Sequence, residues 1–160
     1  KSPEFCRILI EAYPESVRYA NNVGSLPFHH ACLFGTVATA EYLYKLYPDA
    51  INMADADGRY PINYAIVGIQ YRIDPTTAIE MVRFLLDCDN ISLREEDNIS
   101  LTPLHDICNS NYLDDAFELG ILKLLVEKCP ESVRHSDSDG DLPIHLACGL
   151  GGKQGSGIGG

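Results

Sequence analysis

One distance between leucine and proline recurs along the whole chain. Four leucines each precede a proline by 18 residues, the pairs being Leu9 and Pro27, Leu43 and Pro61, Leu85 and Pro103, and Leu125 and Pro143. Successive copies are instead separated by 34, 42 and 40 residues. Packing between neighbouring modules fixes their register, whereas a surface turn tolerates insertions at little entropic cost. The constant interval therefore predicts similar modules stacked in a row, and an unrelated helical bundle gives no reason for it.

Each of these prolines opens a short pattern that is typical of a helix start. The four copies read SLPFHHAC from Ser25, RYPINYA from Arg59, LTPLHDIC from Leu101 and DLPIHLAC from Asp141. Proline suits the first helical turn because the N–H it lacks would have no partner there, and because its φ is already helical. We expect a first helix to begin at each proline, with the hydroxyl of Thr102 capping one of them.

A second helix is expected in each module from apolar residues at helical spacing. The predicted ranges are about 37–46, 77–88 and 117–128, and a further helix starts at Ser2-Pro3-Glu4. The variation in module length falls between the two helices, with about eight extra residues around 69–76 and six around 111–116. Asp74-Pro75 and Asp114-Asp115 are expected to start the second helices that follow these insertions.

The segment Thr102-Pro103-Leu104-His105 matches the first four letters of T-P-L-H-x-A, and on this motif the chain resembles the ankyrin-repeat family. The resemblance implies an all-α, ankyrin-type helix-turn-helix solenoid with β-hairpin-like fingers. Leu26, Tyr60 and Leu142 replace the family's threonine, Asn63 replaces its histidine and Ser100 replaces its turn glycine. We expect the fold to survive these changes, with weaker local hydrogen bonding near Pro61.

The predicted array spans residues 1–148 in five modules, of which the first and last are incomplete. Their approximate ranges are 1–20, 21–54, 55–96, 97–136 and 137–148, and residues 149–160 form a glycine-rich tail that is expected to be flexible. The chain is interpreted as a fragment because Lys1 is not an initiator methionine. No polar capping module is visible, so we expect a monomer with end-to-end association as an open alternative.

The charge of the chain limits the kinds of partner. Asp and Glu number 23 against 12 Lys and Arg, which gives a net charge of −11. Nucleic acid and anionic membrane surfaces are disfavoured because both attract Lys and Arg. No apolar run reaches the ~18 residues of a membrane span. A basic protein or peptide is the natural partner, although solubility alone explains the acidity equally well.

The six cysteines are expected to be free thiols. Cys32, Cys108 and Cys148 recur at one module position, where the ankyrin pattern has a small core residue. Buried free cysteine behaves as a small hydrophobe, so we expect reduced thiols and an intracellular location, in the cytoplasm or nucleus.

No catalytic, metal or cofactor site is predicted. His29, His105 and His145 share one module position, and the resemblance implies that their rings bond to loop backbone rather than converge on zinc. The segment Asp137–Asp141 begins like a calcium loop, but its glycine comes too early and no acid closes the loop, so a turn is expected. Cys148 lies one helical turn from His145 without an activating third group.

Partner binding is the role that the resemblance implies, through the finger tips and the exposed side of each first helix, which line a concave groove. The finger positions are Asn22, Ser25, Asp57, Arg59, Asn98, Leu101, Asp139 and Asp141, and the helix positions are His30, Leu33, Phe34, Tyr64, Val67 and Asp106. Phe34 and Tyr64 are aromatic residues of the kind that anchor interfaces. For any single position, simple exposure to water is the alternative.

We therefore expect a non-enzymatic scaffold or adaptor that binds a protein or peptide carrying Lys or Arg near an apolar anchor. A regulatory or targeting segment of a larger enzyme, with its catalytic domain outside these residues, is the alternative. A structural spacer without a partner is the third hypothesis.

Overall fold

The described part of the chain is all-α, as expected. A computed structural model describes residues 2–71, 74–88, 101–110 and 115–149, and contains no strand in these ranges. The helices are α1 (Pro3–Ala12), α2 (Pro27–Phe34), α3 (Val37–Leu46), α4 (Pro61–Val67), α5 (Pro75–Asp87), α6 (Pro103–Cys108), α7 (Asp115–Lys128) and α8 (Pro143–Ala147). Short 3₁₀ helices cover Pro14–Arg18, Pro48–Asn52, Gly68–Tyr71 and Pro130–Arg134. The expectations for Asn98, Ser100, Asp114 and residues 150–160 lie outside the described residues.

The helix starts follow local signals in the sequence. The four pattern prolines each occupy the first turn of a helix, as predicted. Oδ1 of Asp74 accepts from the backbone N–H of Thr76 at 2.9 Å and caps α5 as expected. Helices α5 and α7 each begin two residues earlier than the periodicity suggested. The cause in α5 is Pro75, which is favoured at the first helical position.

A side chain inside the first turn supports each of the four first helices. In α2, α6 and α8, Nδ1 of the histidine accepts from the backbone N–H three residues earlier, at 3.1, 3.2 and 2.8 Å. In α4, Oδ1 of Asn63 makes the same bond to Tyr60 at 3.0 Å. The expectation of weaker hydrogen bonding near Pro61 is therefore wrong. Oδ1 of Asn63 and Nδ1 of a histidine are both δ atoms, so each reaches the backbone N–H three residues earlier.

The prediction that the Thr102 hydroxyl caps α6 is also wrong. No helix N–H bonds to it, and Oγ1 instead lies 2.9 Å from Nδ1 of His105. The backbone N–H of Thr102 approaches the same ring nitrogen at 3.2 Å. The Thr102 hydroxyl therefore faces the His105 ring rather than the N–H groups of the first turn.

The helices pack in two ordered rows. Helices α2, α4, α6 and α8 contact one another in that order, as do α1, α3, α5 and α7. The rows are joined because α2 packs on α3, α4 on α5 and α6 on α7. Three leucines of the sequence repeat enter the shared core: Leu43, Leu85 and Leu125 are 5%, 0% and 3% exposed.

All six cysteines are free thiols, and Cys32 and Cys129 are buried. Across residues 2–71, 74–88, 101–110 and 115–149, no helix combines the length and apolar character that would let it cross a bilayer.

Candidate partner-binding surface

Three turns with the same backbone geometry precede α2, α4 and α8. They are Asn21–Ser25, Asp55–Arg59 and Asp137–Asp141, and we call them the turn row. In each, Oδ1 of the first residue accepts from the backbone N–H groups two and four residues later, at 2.9–3.0 Å. The fourth residue is a glycine at positive φ, which an L side chain rarely adopts. Asp137 thus stabilises a turn, as predicted, and its Oδ1 is engaged by backbone.

The first two turns of the row touch through their backbones. The N–H of Ala56 donates to the carbonyl of Val23 at 3.0 Å. A Cβ on Gly24 would lie only 2.7 Å from the nitrogen of Ala56. Glycine is required at this position both by its φ of 77° and by the close approach of the next turn. The spacing between these two turns is therefore fixed by direct contact.

The expected finger residues divide by exposure. Asn22, Asp57, Arg59 and Asp139 are exposed, and Leu101 and Asp141 are half-buried. Ser25 is 2% exposed and lies under the surface. The turn row thus exposes Asn22, Asp57, Arg59 and Asp139, two of which are acidic, whereas Ser25 is buried.

A hydrogen-bonded cluster around Tyr64 connects α4 to the first two turns. The Tyr64 hydroxyl donates to Oδ2 of Asp55 at 2.6 Å and lies 2.6 Å from Oγ of Ser25. Because the single phenolic proton goes to Asp55, the Ser25 hydroxyl is the donor in the second bond. The Tyr64 ring meets His29 edge-on at 5.0 Å and His30 at 6.4 Å between centroids. Tyr64 thus holds two turns in place while part of its ring remains exposed.

Burial, followed by the hydrogen bond to Asp55, raises the pKa of Tyr64. The phenol is therefore protonated near neutral pH and acts as a hydrogen-bond donor. Burial likewise raises the pKa of the Cys108 thiol, with the Glu118 carboxylate adding to the effect. Since the thiolate is the nucleophile, Cys108 is a poor one. The Tyr64 phenol and the Cys108 thiol are therefore suited to hydrogen bonding and packing.

His29 and His105, two of the histidines at the shared module position, are neutral structural groups. His105 accepts at Nδ1, so its proton is on Nε2, which donates to the carbonyl of Asp141 at 3.2 Å. This bond joins α6 to the turn before α8, as the resemblance implied. Nε2 of His29 is buried without a hydrogen-bond partner. Burial lowers the pKa of both rings.

The exposed side of the first helices carries the remaining expected contacts. His30 and Phe34 are exposed, and Leu33, Tyr64, Val67 and Asp106 are half-buried. Oδ2 of Asp106 accepts from Nδ2 of Asn63 at 2.7 Å, which links α4 to α6. The Phe34 ring is 62% exposed and packs on Tyr71 at 5.5 Å. Phe34 and Tyr64 therefore belong to two separate aromatic contacts rather than one.

Sequence reasoning missed two features of this surface. Tyr71 was not recognised as the partner of Phe34, because it lies in an insertion whose path no pattern predicts. An open apolar groove between α1 and α2, of about 620 Å³, was also missed. Its signal was the apolar spacing of Cys6, Leu9 and Ile10 on α1, which line it.

No group of three His, Cys, Asp or Glu side chains with metal-binding geometry occurs among the residues that the structure describes. No protein-family model matches the sequence, and a search of curated proteins found no match.

Proposed function

We propose that this protein is a non-enzymatic scaffold or adaptor of the ankyrin-repeat type, which binds a basic protein or peptide along the turn row and the exposed side of its first helices. The observation that carries the proposal is the turn row itself. Three segments that are distant in sequence share one turn geometry, and the first two of them lie beside the hydrogen-bonded cluster of Tyr64.

The ankyrin-type arrangement is supported by three independent regularities. The helix rows follow chain order, the same first-turn bond recurs in α2, α4, α6 and α8, and the constant leucine-to-proline interval spans each junction between modules. Stacked modules of this kind expose a long surface that serves as a binding face. The proposed fold and the proposed binding surface thus both follow from stacking one repeated module.

The charge of the turn row favours a cationic partner. Its three turns carry Asp55, Asp57, Asp137, Asp139 and Asp141 against one basic residue, Arg59. Complementary charge mainly sets specificity and association rate, so an apolar anchor is needed for affinity. The half-buried ring of Tyr64 provides a rigid aromatic contact of the type enriched at interface hot spots. A reduced intracellular compartment, cytoplasmic or nuclear, suits the six free thiols.

Affinity capture with a matched charge control tests the proposal. The variant Asp57→Asn/Asp139→Asn removes two exposed carboxylates from the turn row. The control Glu41→Gln/Glu127→Gln removes two exposed carboxylates from α3 and α7. A partner of the turn row is expected to be lost with the first variant, retained with the second, and released as salt rises.

Equal capture by both variants would show that the turn row is not the binding surface. Catalytic turnover by these residues alone would overturn the scaffold assignment itself. In the alternative hypothesis, a regulatory segment of a larger enzyme, capture would retrieve a catalytic domain whose activity changes on binding.

A further inference from the structure

An open pocket lies between the second and third modules, where α2 passes into α3 and the segment after α4 packs beside it. The pocket has a volume of about 490 Å³ and is lined by residues 34–38, Tyr71, Thr77 and Glu80. The rings of Phe34 and Tyr71 pack 5.5 Å apart between centroids, and Tyr71 is 58% exposed. The pocket therefore combines two aromatic rings with one carboxylate.

Close backbone packing holds the aromatic pair in place. The 3₁₀ helix Gly68–Tyr71 contacts both α2 and α4. A Cβ on Gly68 would lie only 2.5 Å from the carbonyl oxygen of Leu33, so a side chain there would push this segment away from α2. Tyr71 thus lies beside Phe34 because the backbone one turn earlier is packed directly on α2. A contact that is already formed loses little conformational entropy on binding.

The charge of the pocket is set by Glu80, which is exposed. The C-terminus of α2 and the N-terminus of α3 meet at this pocket, and their opposite partial charges of about half an elementary charge each largely cancel. The N-terminus of α5 is capped by Asp74, whose carboxylate accepts from the backbone N–H of Thr76 at 2.9 Å and from its hydroxyl at 2.7 Å. Among the residues that the structure describes, none forms an ion pair with Glu80. The pocket therefore attracts a cation rather than an anion.

The pocket lies at one end of the surface proposed for partner binding. His30 and Phe34 are four residues apart on α2, so their side chains are neighbours on one face of the helix. At one end of this face His30 meets Tyr64 at 6.4 Å, and at the other end Phe34 meets Tyr71. With one helical turn between these contacts, the path from Tyr64 to Tyr71 is roughly 18 Å, which about six residues of extended peptide span.

We infer that this pocket binds an arginine side chain of the basic partner. The guanidinium is planar and weakly hydrated, so it stacks on the exposed aromatic ring of Tyr71 while it pairs with the Glu80 carboxylate. Lysine is a poorer fit because its ammonium is strongly hydrated and has no planar group to stack. The inference rests on the proposed function, because it names the side chain that the partner contributes at one end of the same surface. An extended partner that also contacts the turn row carries a second basic residue about six positions away.

Peptide titrations followed by NMR of the isotope-labelled protein test the inference, because NMR detects weak binding and locates it. The probe is a seven-residue peptide with blocked ends, arginine at its first and last positions, and glycine and serine between them. A second probe has lysine in place of both arginines. Tyr71→Ala removes the ring and Glu80→Gln removes the carboxylate. Tyr19→Ala and Glu41→Gln are the matched controls, since both residues are exposed and neither lines the pocket. Circular dichroism checks that each variant remains folded.

The arginine peptide is expected to shift the backbone amide signals of Gly35, Thr36 and Thr77. Tyr71→Ala weakens its binding about fivefold and Glu80→Gln about threefold, whereas the two controls leave the affinity unchanged. The lysine peptide binds several times more weakly than the arginine peptide. Unshifted pocket signals, equal binding by Tyr71→Ala and Tyr19→Ala, or equal binding of the two peptides would each overturn the inference.

The turn-row variant Asp57→Asn/Asp139→Asn separates this inference from the proposed function. If only the turn-row variant weakens binding of the arginine peptide, the turn row is supported and the arginine pocket is refuted. If only Tyr71→Ala weakens binding, the arginine pocket is supported and the turn row is refuted as a binding surface. Weaker binding by both variants supports an extended partner that contacts both places.

Discussion

The substitutions Leu85→Ala and Leu9→Ala test whether two leucines at the same module position are equally well packed. The two leucines hold the same position in their modules, but Leu85 is 0% exposed and Leu9 is 60% exposed. Leu85→Ala is expected to lower the free energy of unfolding by about 3 kcal/mol. Leu9→Ala is expected to change it by less than about 0.5 kcal/mol, as is usual at exposed positions.

The larger value follows from the surroundings of Leu85. Its helix, α5, contacts α3, α4 and α7, so neighbours on several sides restrict the collapse of the cavity that alanine leaves. Lost transfer free energy and a persistent cavity together give roughly 3–5 kcal/mol for buried leucines in rigid sites. The lower end is appropriate because α5 ends at Asp87, only two residues beyond the substitution.

Urea unfolding followed by far-UV circular dichroism provides the measurement. With an m-value of about 2 kcal/mol/M, Leu85→Ala lowers the midpoint by about 1.5 M and Leu9→Ala by less than about 0.3 M. Equal midpoint losses in dilute solution would refute the reasoning, since they would mean that Leu9 is as well packed as Leu85.

Three further predictions concern the hydrogen-bonded turns and histidines. Tyr64→Phe, which removes a hydroxyl bonded to two partners, is expected to cost about 2 kcal/mol in the unfolding free energy. Gly140→Ala is expected to cost about 1 kcal/mol from its positive φ alone, and Gly24→Ala clearly more because its Cβ also meets backbone; equal losses on thermal melting would contradict this. Burial lowers the pKa of His29 and His105 from 6.5, so their stabilisation is complete above about pH 6.5 and is lost as pH falls through their lowered pKa values. The urea midpoint is therefore expected to fall with pH in that window, less so in the His29→Asn/His105→Asn double variant.

The sequence determined the features that depend on residues close together in the chain. The helix starts at Pro27 and Pro143 were predictable because proline sets φ at the first helical position and needs no N–H partner there. The turn at Asp137–Asp141 was predictable because the aspartate bonds its own following backbone and glycine accepts the positive φ. The ordered contacts between helices are those expected from the fixed interval of 18 residues, which no local turn would require.

Only the tertiary structure decided how distant segments share space. Ser25 was expected at a finger tip, but Tyr64, 39 residues further along the chain, covers it and accepts its proton. Leu9 and Leu85 are equivalent in sequence, yet only Leu85 has a helix on each side that completes its burial. Burial is a property of neighbours rather than of a residue, and a pattern repeated along the chain does not state which of its copies has neighbours on both sides.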